Sequence, residues 1–184
     1  MQPQTADTDA AGRIWLDETI TTWRRNKEHA DAAIAQLDEA QLRRSLDPEV
    51  NSVAVVMKHV AGNLRSRWVD FLTSDGEKPD RRRDSEFVDD YPDRDAMIAD
   101  WEDGWRVLFD ELAKLRPDDA LRQVEIRGAK LPVPAAILRS ICHCSYHIGQ
   151  VVQTARVVAG DRWSTLTIPR GQSEEYNRAR WGRG

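Results

Sequence analysis

The sequence predicts an all-α protein, a four-helix bundle with long loops and an irregular C-terminal tail. Three observations lead there. Four stretches carry apolar residues at alternating steps of three and four, the helical period. Helix-starting and helix-stopping residues stand at their ends. A length of 184 residues suits one core and leaves little room for two.

The first residues, MQPQTADTDAAG, have neither the basic start nor the apolar run of a secretory signal. Residues 1–12 are expected to be a disordered leader, and residues 13–184 a single domain. The first helical stretch is Leu16, Ile20, Trp23, Ala30, Ile34 and Leu37, with Lys27 filling the one gap in its rhythm. The second is Val53, Met57, Val60, Leu64 and Phe71, preceded by Asn51-Ser52, a natural N-cap. The third is Met97, Trp101, Trp105, Leu108, Leu112 and Leu115. Pro92-Asp93 opens it and Pro117 stops it. The fourth runs through Ile137, Ile141, Cys144, Ile148, Val151, Ala155 and Val158, between Pro132, Pro134 and Gly160.

The connections are long. Residues 74–92 form a charged segment, and long loops in compact domains are usually functional or disordered. Alternation around Arg127-Gly128 predicts a small β-hairpin. After Gly160 the chain reads as irregular, with Trp163, Leu166 and Ile168 packing it back on the helices. Of seven tryptophans, Trp23, Trp101 and Trp105 fall on helical seams and belong to the core. Trp68 lies one position off its seam, where it either packs or lines a pocket.

Charge and composition exclude several classes. A net charge of −4 offers no basic surplus for nucleic acid. No apolar run approaches the roughly 18 residues that span a bilayer. The two cysteines, Cys142 and Cys144, point about 200° apart on a helix and cannot bridge each other. Without disulfides, a reducing compartment, the cytoplasm, is expected.

The histidines carry the chemistry. His143 and His147 share one helix face, one turn apart, close enough to ligate one ion. They belong to a polar stripe, Ser140, His143, His147, Gln150 and Thr154, one residue ahead of the apolar seam. The second helix repeats the pattern with His59, Asn63, Ser66 and Asp70. If these two helices are neighbours, three imidazoles converge. Three neutral nitrogen ligands suit zinc, nickel, iron or copper, and they leave a coordination position open. Spacing alone also allows a plainer outcome, in which the rings are part-buried and hydrogen-bonded. Cys144 sits in the seam as a small hydrophobe, Cys142 faces elsewhere, and neither is expected to ligate. His29 is expected on the surface.

One histidine on the second helix followed by HxxxHxGQ on the fourth resembles the DinB/YfiT-like superfamily of metal-binding four-helix bundles. The closer similarity is to its DUF1572 branch. It rests on KHVAGNLRSRWVDFLTSDGEKPDRRRDSEF (58–87), SYHIGQVVQTAR (145–156) and WSTLTIPRGQS (163–173). The resemblance implies His59, His143 and His147 as ligands of a divalent ion, zinc or nickel first, iron or manganese next. It also implies a small-molecule substrate and a homodimer. Some members of the superfamily transfer low-molecular-weight thiols such as bacillithiol, or use mycothiol. A metal-dependent S-transferase or hydrolase is therefore one expectation, and a non-catalytic metal-binding stress-response protein is another. A helical protein with incidental histidines is a third. Neither a membrane nor a nucleic-acid partner is expected.

An open ion on three imidazoles activates water or a thiol, and because the ligands must be neutral, metal loss at acidic pH is expected. Asn63 and Gln150 lie one turn from a ligand, placed to orient it or simply to bond between helices. The catalytic base is not named by the sequence. In the long loop, Arg83, Asp84 and Glu86 stand with Glu77, Arg81 and Arg82. They either cover the open side and bind an anionic substrate or pair with one another in solvent.

Overall fold

The computed structural model describes residues 4–182, with side chains from residue 10 onward. The chain is mostly helical, with one two-stranded antiparallel sheet. The long helices are α1 (Gln4–Ile34), α3 (Val53–Trp68), α4 (Arg94–Leu112) and α5 (Val133–Ala159). Shorter ones are α2 (Glu39–Arg43) and α6 (Ser173–Trp181). Strands β1 (Gln123–Ile126) and β2 (Ala129–Pro132) make the hairpin.

The boundaries follow local chemistry. Ser52 Oγ accepts from Val55 N at 3.2 Å and caps α3, and Asp93 Oδ1 accepts from Ala96 N at 2.8 Å and caps α4. Pro134 stands in the first turn of α5, and Gly160 ends it with φ +57. Helix α1 begins at Gln4, inside the stretch read as a leader, while residues 1–3 lie outside the described residues. Its alanines favour a helix, and Gly12 lies against Pro117, where an added Cβ would come within 2.7 Å of the proline ring. Two further expectations, on the tail and on the end of the second helix, need correction. The tail is not wholly irregular, because α6 forms there. It buries no residue, so it had no apolar period to read. Helix α3 stops at Trp68, and Asp70, with φ 52, falls beyond it.

Helix α3 is the central element. It packs against α4 on one side and α5 on the other, while α1 packs against α5. Gly104 of α4 meets Ala61 of α3 so closely that a Cβ would stand 2.7 Å from the Ala61 Cα. All four long helices and the hairpin feed one core. At its middle Trp23 meets Trp68 and Trp105 edge-on, with centroids 5.8 and 5.9 Å apart. Trp68 is fully buried, and its indole N–H donates to Ser140 Oγ at 3.3 Å, so it is a packing residue. Lys27, the gap in the α1 rhythm, pairs with Asp31 at 2.6 Å and Glu102 at 2.8 Å.

Arg127 and Gly128 take φ +56 and +72 at the hairpin tip, as a tight two-residue turn requires. Asp75 accepts from both of their N–H groups, at 2.8 and 2.7 Å, tying the hairpin to the loop after α3. The hairpin thereby walls one end of the space between α3 and α5.

Candidate metal centre

The contact of α3 with α5 brings the three histidines together. Ligand atoms of His59, His143 and His147 all lie within 4.8 Å of one another. The Nε2 atoms of His143 and His147 are 3.3 Å apart, and the His59 ring lies 4.7 Å from that of His147. His59 is only 3% exposed, while the α5 pair is half-buried.

Two of the rings are oriented through Nδ1. His59 Nδ1 bonds Glu86 Oε2 at 2.8 Å, and His147 Nδ1 bonds Gln150 Oε1 at 2.8 Å. Donation to these oxygens leaves Nε2 of each ring as the ligating atom. Phe87 stacks on His59 at 4.7 Å. Burial, then the positive charge of His147, His59, Arg67 and Arg81, pushes His143 down to about 4. Burial also lowers His147, against the bond to Gln150, with His59 and Arg83 adding to the lowering. Both α5 rings are thereby held toward the neutral form that a divalent ion needs, and the three convergent nitrogens fit such an ion.

Glu86 is the residue whose position the sequence left open. It sits in a 3-10 turn, Arg83–Phe87, and is buried. Arg81 grips it bidentately, at 2.7 and 2.8 Å. Burial raises the Glu86 carboxyl, but the bonds from His59 and Arg81 outweigh it and hold the group below its ordinary value. Arg83 projects beside Phe87, 5.1 Å from the ring centroid. Asp84 is exposed and reaches neither the histidines nor the cavity beside them.

That cavity has a volume of about 300 Å³, and His59, His143, Asn63 and Ser140 contribute to its wall. Asn63 is therefore a wall residue and bonds no histidine among the described residues. The rest of the polar wall is arginine: Arg67, Arg81, Arg83, Arg127 and Arg139. Three of these, Arg67, Arg127 and Arg139, were missed as site residues, and for two of them the signal was present. Continuing each ligand row by steps of four gives His59, Asn63, Arg67 on α3 and Arg139, His143, His147 on α5.

The cysteines stay apart. Cys144 is buried, its thiol pushed up to about 12 by burial, and Cys142 is exposed. His29 is exposed, with Nδ1 2.7 Å from the Arg25 carbonyl oxygen. Among the described residues no helix is long and apolar enough to cross a membrane.

Fold and site together define a mostly helical protein with a three-histidine cluster of metal-binding geometry. The chain belongs to the DUF1572 family of proteins of unknown function, whose family model matches residues 10–172. No curated protein and no solved structure gives a match.

Proposed function

We propose that His59, His143 and His147 hold one divalent ion with an open side. On this reading the chain is a metal-dependent catalyst for a small molecule, built as a four-helix bundle of the DinB/YfiT-like kind. The supporting observation is a convergent histidine cluster whose His59 and His143 also line the cavity. Zinc or nickel suits the donor set best, with iron or manganese next. Such an ion supplies Lewis acidity, enough to activate a water or a low-molecular-weight thiol near neutral pH. The protein's own part is to orient His59 and His147 through Glu86 and Gln150, to favour the neutral form of the two α5 rings by burial, and to receive the substrate beside them. Thiol transfer and hydrolysis are the two reactions that need nothing more from the chain.

One observation favours a non-catalytic, metal-stabilised protein instead. Both carboxylates nearest the cavity, Glu77 and Glu86, are tied to arginine, which leaves neither free as a base. Elemental analysis tests the shared premise. Purified protein should hold close to one ion per chain, and His147→Ala should lose it. Metal-free protein that cannot be reconstituted would overturn both readings. If metal binds, a screen of thiol and ester substrates separates the two, since a purely stabilising ion gives no turnover.

A further inference from the structure

We infer that the cavity beside the histidine cluster is a binding site for a small dianion, a dicarboxylate or a phosphomonoester, held by the guanidinium groups that line it. The inference rests on the proposed function for its chemical purpose, but the anion site stands on its own geometry.

Five arginines surround one small space, and the chain does not neutralise them. Glu77 is shared by three, with Arg67 at 2.8 Å, Arg127 at 3.3 Å and Arg81 at 3.4 Å. Glu86 answers Arg81 but also serves His59. Asp75, the third carboxylate nearby, gives its oxygens to the backbone N–H groups of Glu77, Arg127 and Gly128. Arg83 and Arg139 pair with no carboxylate among the described residues. Two of the guanidiniums are also poorly hydrated, since the Arg81 side chain is 5% exposed and that of Arg67 13%. Concentrated, partly desolvated positive charge of this kind is stabilised by an incoming anion. Burial, with Arg81 and Arg127 close by, already pushes Arg67 below the ordinary arginine value.

A second observation points to the same ligand. Asn63 is 8% exposed, lines the cavity, and makes no side-chain hydrogen bond among the described residues. An anion oxygen entering the cavity would accept from its amide N–H. Ser140 offers a hydroxyl on the opposite wall. Arginine forks suit carboxylate and phosphate equally, each accepting two parallel N–H bonds. The volume, about 300 Å³, is at the small end of ligand pockets and admits a compact molecule. Because Arg67 and Arg139 are on the same helical rows as the histidines, an anion held there presents its remaining atoms to the cluster.

Titration calorimetry on metal-free and metal-loaded full-length protein tests this, with succinate, inorganic phosphate and neutral succinamide as probes. Succinate or phosphate should bind both forms, more weakly as salt is raised, and succinamide should not. The tighter of the two anions assigns the ligand as dicarboxylate or phosphate. Arg83→Gln with Arg139→Gln should weaken that binding at least tenfold while the thermal unfolding curve stays in place. Arg106→Gln, on the far surface, should leave it unchanged. No binding by either form, equal binding of succinamide, or binding indifferent to the double substitution overturns the inference. Metal content is measured separately. Anion binding by a protein that takes up no metal would therefore sink the proposed function and leave this site standing, and the reverse pattern would do the opposite.

Discussion

Glu86 joins the histidine cluster to the arginine cavity through a single carboxylate. Its Oε2 accepts from both His59 and Arg81, and Oε1 accepts a further bond from Arg81. Glu86→Gln keeps the shape, removes the charge, and leaves the buried Arg81 guanidinium without its main counter-charge. It is expected to cost about 2–4 kcal/mol in denaturant unfolding. It should also lower metal affinity, by up to about 10-fold in a metal titration, because the acceptor that orients His59 loses its charge and its bidentate hold on Arg81. At the site the pH dependence follows from three groups. His143 in the folded chain protonates near 4 rather than at the ordinary 6.5, so below 6.5 the unfolded chain binds the extra proton first, and His147, also lowered by burial, has the same sign. Glu86 has the same sign, since its carboxyl is held below the ordinary 4.5 and its contribution is lost as pH falls through that region. The melting temperature of metal-free protein should therefore be steady above about pH 6.5 and fall from there toward pH 4. His143→Gln should flatten the upper part of that fall.

The helix pair α3 and α4 shows what sequence patterns convey and what they omit. Apolar spacing, Ser52, Asp93 and Gly160 marked the long helices, because an amphipathic helix of several turns repeats its signal and carries its own caps. Helix α2 escaped notice because five residues, held by an Asp38–Gln41 capping box, are too short to show a period. The histidine rows were legible for the same reason as the helices, since steps of four place them on one face. Glu86 was not, because a loop residue is placed by distant partners, here Arg81 and His59. Nor does the pattern convey how near two helices lie. Gly104→Ala would drive a methyl into the α3 backbone at Ala61 and is expected to cost about 1–3 kcal/mol in denaturant unfolding. Gly149→Ala in α5, where nothing lies within 4 Å of the new methyl, should be neutral or stabilising by up to about 1 kcal/mol.

Across the whole molecule, the segment between α3 and α4 is fastened at several points. Arg43 of α2 holds Asp89 at 2.6 Å, Lys58 of α3 holds Asp90, and the hairpin's Arg127 holds Glu77. The fastening that matters chemically is Glu86 on His59. Thermodynamic reciprocity gives that bond a measurable reading, because whatever an ion at the histidines does for the order of the segment, the order of the segment does for the ion. Arg81, Arg82 and Arg83 make the segment a natural trypsin site. Where opening is fast relative to cleavage, zinc should slow cutting there by some factor, and the same pre-order should be missing from chain already cut. Cleaved protein is then expected to hold zinc more weakly than intact protein by a similar factor, read from cleavage rates on one side and from a zinc titration on the other.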